Sequence, residues 1–152
     1  MVDGIIDAGL TPVLIGKDLD ETCGVLKLDG RGKSIDLTNM LNIKELIAVV
    51  SLVPVLVSND SSPIHLAGAF DNWIVLIPTC KHPDHILPYR NGSKSYKTRA
   101  LYKKLALDDI STSTAEMRGS GADQLPGKWE DYLPDASSVL QTIQPLMPRN
   151  FN

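Results

Sequence analysis

The chain has 152 residues, 43% of them hydrophobic and 22% charged, with a net charge of −3 at neutral pH. That is one domain of ordinary size, with enough apolar residues for a core. The balance excludes the strong basicity of a nucleic-acid-binding chain, and no apolar run approaches the length of a bilayer. Met1-Val2-Asp3-Gly4 is not the charged start of a signal peptide. Cys23 and Cys80 are too few for a disulfide framework. A cytoplasmic, reducing location with at most peripheral membrane contact is the simplest expectation.

Val2 to Ala8 reads as the tail of an amphipathic helix, with Gly9 as its stop. Thr11 to Ile15 reads as a strand followed at once by Gly16, and Asp18 to Leu28 as a weak helix interrupted by Gly24. Ser34 to Leu37 suits a brief strand. Asn42 is a good N-cap for a helix to about Leu52, with Ile43, Leu46, Ile47 and Val50 at helical spacing.

The stretch from Val55 to Thr79 organises the rest. Val55, Leu56 and Val57 form an apolar run suited to a buried strand. Ser58-Asn59-Asp60-Ser61-Ser62 is a polar turn, with Ser61 or Ser62 as N-cap, and Pro63 opens a short helix through about Phe70. Trp73 to Ile77 is the next buried strand. A turn of this kind leaves N–H groups at a helix start, which favours an anion and above all a phosphate. Alternating helices and strands predict an α/β fold: a Rossmann-like parallel sheet with helices on both faces.

Past Thr79 the character changes. Lys81 to Leu107 is basic, and Ala100 to Leu107 suits a helix. Asp108 to Asp135 is polar and glycine-rich, the pattern of a long loop or insertion. Asp135 can cap a last helix from Ala136 to about Leu146, with Val139, Leu140 and Ile143 inward, before a fraying tail. The expected division is a core over 1–107, a loop over 108–135, and a C-terminal helix and tail over 136–152.

Asp60-Ser61-Ser62-Pro63-Ile64-His65-Leu66-Ala67 resembles the D-[ST]-G-P-x-H-[LI]-A signature of glycosyltransferase family 9, the ADP-heptose heptosyltransferases of lipopolysaccharide synthesis. Pro78-Thr79 is similar to the family's G-P-T after the next strand, while the family's glycine is Ser62 here. The resemblance runs from about Thr11 to Thr79, is faint at the last helix and is absent between them. It implies the C-terminal, donor-binding half of a GT-B enzyme. No strand precedes Val2, so that half looks as if it lacks its opening strand, and the acceptor-binding domain and the catalytic base are expected elsewhere.

The resemblance sets Asp60, Ser61, Ser62 and Pro63 against the donor diphosphate, with His65 as a donor to phosphate or a packed neutral side chain. The residues alone also fit a plain Asx turn and a capped helix. Gly16, with Asp20 or Glu21 after it, is similar to the family's glycine turn and its ribose-binding carboxylate; the alternative is a solvated acidic helix start. Met40 and Leu41, after Thr38 and Asn39, lie where the family reads the base, or in an ordinary loop. Arg90 is the cation of the basic segment whose fork best suits phosphate, on a segment that otherwise reads as a solvated face. Cys80, next to Lys81, reads as buried packing, with a thiol of lowered pKa as the alternative. His82 and His85, flanking Pro83-Asp84, are two ligands short of a metal site, so neither metal nor other cofactor is expected.

The expected function is donor binding: a nucleotide-diphosphate sugar, an ADP-sugar by resemblance, held for inverting transfer to an acceptor hydroxyl. A separate acceptor-binding chain would complete the enzyme, and the chain alone should be inactive; a homodimer is the other partner expected. The alternative is a non-catalytic interaction or nucleotide-binding module derived from such a domain.

Overall fold

The computed structural model describes residues 2–17, 33–78, 82–102 and 133–147. The expected helix at Asp18–Leu28, with Asp20, Glu21 and Cys23, lies outside the described residues, as do Thr79, Cys80, Lys81 and the insertion at 108–132.

Helix α1 (Val2–Asp7) ends as its glycine predicts. Gly9 adopts φ +78°, and the Gly9 and Leu10 amides donate back to the carbonyls of Ile6 and Ile5 at 2.9 and 3.1 Å. This paired closure favours glycine, which takes a left-handed conformation without a Cβ clash. The chain turns back into β1 (Val13–Leu14), which pairs in parallel with β2 (Ile35–Asp36).

Helix α2 (Ile43–Leu52) carries a complete capping box. The Asn42 side chain accepts from the amides of Lys44 and Glu45 at 2.9 and 3.1 Å, and Glu45 Oε2 accepts from the Asn42 amide at 2.8 Å. Its apolar stripe is only half used. Val50 is buried and Leu46 packs on the core, but Ile43 is 60% exposed and Ile47 also reaches solvent.

The second sheet has the order β3-β4-β5, all parallel, from β3 (Val55–Asn59), β4 (Trp73–Ile77) and β5 (Thr98–Ala100). Between β3 and β4 lies α3 (Ser62–Ala67). A single turn of helix, α4 (Pro83–Ile86), precedes β5, and α5 (Ala136–Ile143) closes the fold, followed by a 3₁₀ turn at Gln144–Leu146. Strand β5 corrects the sequence reading, which has a helix starting at Ala100; that residue ends a strand instead.

Two cores sit on opposite faces of the sheet, as strand alternation requires. Leu56, Ile74 and Leu76 pack with Val50, Ile64, Ala67 and Ile86 under α2, α3 and α4. Val75 packs with Val139 and Ile143 of α5, joined by Ile5 of α1 and by Val55, Val57 and Ile77. Ile15, just past β1, reaches the first core, so the short sheet shares it. The α/β architecture with helices on both faces of parallel strands is therefore as expected.

Candidate functional site

Each candidate loop follows the carboxyl end of a strand, where doubly wound folds keep their ligands. After β1 comes Gly16, exposed and at φ +145°, a conformation that side chains disfavour. Its carbonyl accepts from the Asn39 amide at 2.9 Å, which ties the loop after β1 to the loop after β2. Asn39 itself is left-handed at φ +62°. The Asp36 carboxylate accepts from the Thr38 amide at 2.9 Å, and this bond holds its pKa below the usual carboxylate range. Met40 is held up by its own amide bond to the Leu37 carbonyl and is 69% exposed; Leu41 is half-buried beside it.

After β3 the chain turns through Asp60 into α3, with Ser61 as N-cap and Pro63 in the first turn. Ser61 makes no side-chain cap. Its hydroxyl instead pairs with the Ser58 hydroxyl at 2.8 Å and donates to the Asn59 carbonyl at 3.3 Å. The turn is thus braced across its base by two serines, and the side chain that would ordinarily satisfy the helix start is directed elsewhere. Ser62 is exposed at the first helical position, and Asp60 is half-buried. His65 is exposed on the outer side of α3, whose inner side is Ile64 and Ala67. The structure thus describes eight of the residues singled out in the sequence around the ends of β1, β2 and β3; Asp20 and Glu21 lie outside it.

Arg90 needs a correction. It is 8% exposed, and its guanidinium is directed inward rather than toward a ligand. Nη1 donates to the carbonyls of Phe70 and Asn72 and more weakly to Ala67, while Nη2 donates to Asn72, Tyr96 and Lys97 at 3.0–3.2 Å. Five carbonyls from the α3–β4 turn and the approach to β5 converge on one planar fork, which no lysine could serve. Burial lowers the guanidinium's pKa, and the nearby Asp71 carboxylate opposes the shift. Arg90 is therefore a clasp joining β5 to the rest of the sheet. Proline and tyrosine before it gave no sign of this; only the buried carbonyls identify it.

Asp71 completes the clasp from outside. Its carboxylate accepts from Lys97 Nζ at 2.6 Å and from the Tyr96 hydroxyl at 2.9 Å, and these bonds lower its pKa. His82 caps α4, its Nδ1 accepting from the Asp84 amide at 3.2 Å, with the His85 ring edge-on at 6.2 Å. Among the described residues there is no group of three or more metal-ligating side chains. No described helix is long and apolar enough to cross a membrane.

Comparison with curated proteins and with solved structures gives no match. The family model for glycosyltransferase family 9 (heptosyltransferase) matches residues 3–109, more than two thirds of the chain. The match takes in α1 and the basic segment after Thr79, so the family's sequence pattern extends to residue 109, past the Thr79 at which the motif resemblance ends. The chain belongs to glycosyltransferase family 9.

Proposed function

We propose that the chain is the donor-binding part of a glycosyltransferase and holds a nucleotide-diphosphate sugar at the carboxyl ends of β1, β2 and β3. The observation that carries the reading is the order of the strands. β1 and β3 line one cleft, and from it sequence order climbs outward from β1 to β2 in one sheet and from β3 to β5 in the other. In a doubly wound sheet the carboxyl ends share one edge, and the ligand sits where the order reverses. Gly16 and the Asp60–Pro63 turn follow the two strands on either side of that reversal.

The chemistry fits a diphosphate at the turn after β3. Main-chain N–H groups and the Ser62 hydroxyl supply neutral donors to a leaving diphosphate, on a turn that the Ser58–Ser61 pair braces. Asp60 repels phosphate and is better suited to a sugar hydroxyl or to bracing the turn. Met40 and Leu41 offer an apolar surface and main-chain groups to the base, and Asp20 or Glu21 a carboxylate to the ribose diol. The family resemblance favours an adenine nucleotide and leaves the catalytic base to an acceptor-binding domain, in the same enzyme or a separate chain.

The test is calorimetric titration of the whole chain with ADP, GDP and UDP. We expect a Kd on the order of 1 mM for at least one, about −4 kcal/mol. Ser62→Asp should weaken it roughly tenfold, because a carboxylate suits a helix start yet repels the phosphate that would sit there. Absence of heat from all three nucleotides would remove this reading and favour a non-catalytic module.

A further inference from the structure

The turn at the start of α3 is what the donor reading uses, and the segment after β4 closes on the other end of the same helix. Gly68, the residue that ends α3, keeps an ordinary right-handed conformation. Its lack of a side chain therefore answers a steric demand and not a backbone one. A Cβ there would lie 2.7 Å from the Cβ of Pro88 and 3.0 Å from the His65 carbonyl oxygen. Two residues past Pro88, the Arg90 guanidinium donates to the carbonyls of Ala67 and Phe70. The macrodipole favours a cation at that end of a helix. Pro88 and Arg90 thus both bear on the end of α3.

Packing and hydrogen bonding hold this helix in different ways. Ile64 and Ala67 are wholly buried and keep α3 against the core. Apolar burial is non-directional and leaves the tilt of the helix to other contacts, whereas hydrogen bonds are directional. The fork that takes Ala67 and Phe70 also takes the carbonyls of Asn72, just before β4, and of Tyr96 and Lys97, just before β5. The end of α3 is thereby tied to the frame of the sheet. A helix of six residues is about 9 Å long, a single short lever, so a tilt allowed at Gly68 is carried to Ser62. At the start of that lever the Ser58–Ser61 hydroxyl pair ties the turn to β3. That contact sets where the helix begins and leaves its direction to the far end.

We infer that Arg90 is the positioning residue of the Asp60–Pro63 turn: it sets the direction of α3 and so the aim of the main-chain N–H groups at the helix start. The diphosphate end of this inference rests on the donor reading above, and Arg90 itself touches no ligand. An ammonium has three donors and no plane, so lysine cannot hold five carbonyls from helix and sheet at once. Gly68 and Pro88 belong to the same seat, and through it the segment after β4 acts on a turn that precedes β4.

Amide residual dipolar couplings of the ligand-free chain, which report N–H directions, test this together with ADP titration in Arg90→Lys and Gly68→Ala. In both variants the couplings of Ser62, Ile64, His65, Leu66 and Ala67 should depart from the alignment of β4. The ADP Kd should rise roughly tenfold in Arg90→Lys and less in Gly68→Ala, since small misplacements are costly. Val139→Ala weakens the fold from the other face of the sheet and should leave both readouts at their wild-type values, so lost stability alone does not produce the pattern. Gly68→Ala keeps the guanidinium and carries the test if Arg90→Lys does not fold. Three results overturn the inference: α3 keeps its direction in the folded variants, α3 tilts while the ADP Kd holds, or Val139→Ala weakens ADP binding as much as Arg90→Lys. If the wild-type chain takes up no nucleotide, the donor reading falls, while a tilt of α3 in the variants still upholds Arg90's control of its direction.

Discussion

The two sheets of this protein are held by different means. The β3-β4-β5 sheet has cores on both faces, in which Ile74, Val75 and Leu76 are wholly buried. Its last strand is fastened by Arg90 gathering five carbonyls and by Asp71 holding Lys97 and Tyr96. The β1-β2 sheet is two residues long in each strand, and Ile35 is 48% exposed. It joins the rest through Ile15 and α1, across the cleft that β1 and β3 line. Yet the candidate ligand loops are drawn from both sheets. Burial is concentrated in one half, so a donor nucleotide bridging the candidate loops, as proposed, would also tie the less buried half to the other.

The sharpest way to break the contrast is Arg90→Ala. Its carbonyl partners would be left buried and unpaired, and we expect a loss of about 4 kcal/mol in urea unfolding. Arg90→Lys should recover less than half of this, since an ammonium cannot present a planar fork. If Arg90 instead served the ligand, Arg90→Ala would leave stability alone and abolish nucleotide binding.

Next come matched truncations in the two sheets. Leu76→Ala removes a fully buried side chain from the first core and should cost about 3 kcal/mol. Ile35→Ala, in the short sheet, should stay within about 0.5 kcal/mol. Equal losses would mean that the two sheets unfold as equals, and the comparison would fail.

The smallest effect is in acid. Asp71 has its pKa lowered by Lys97 and Tyr96, and Asp135, which caps α5 through the amide of Ser138 and the hydroxyl of Ser137, has its pKa lowered to about 2. Both contributions are therefore complete above the unfolded carboxylate value of about 3.9 and fall away below it. Melting followed by circular dichroism should show Tm falling between pH 4 and pH 2, with the Asp71→Asn, Asp135→Asn double variant flatter across that window. Both side chains are solvent-exposed, so the change is modest.

How much of this was legible beforehand follows the range of the interactions. Asn42 with Glu45, Gly9 after α1, and Asp135 before α5 are local signals, and each formed where the residues required. The strand, turn and helix around Asp60 were legible for the same reason: apolar run, polar turn and proline lie within a few residues of each other. What stayed hidden is long-range. Strand β5 is an edge strand in a lysine-rich stretch and exists because the backbone after Lys97 pairs with β4. Arg90 reads as a phosphate ligand until the carbonyls of residues some twenty positions earlier close around it. Ile43 and Ile47 keep helical spacing with their neighbours yet find no core, because α2 is covered only along the side that meets Leu56 and Ile64.

The most direct test of donor binding at the strand ends is a map of amide chemical shifts in the whole chain as ADP is added. The account predicts that the largest changes fall on Gly16, Met40, Leu41, Ser61, Ser62 and Ile64, with the interior of β4 and the Arg90 clasp unmoved. Changes confined to the outer face of α5 or to the basic loop around Lys94, with those six silent, would contradict it.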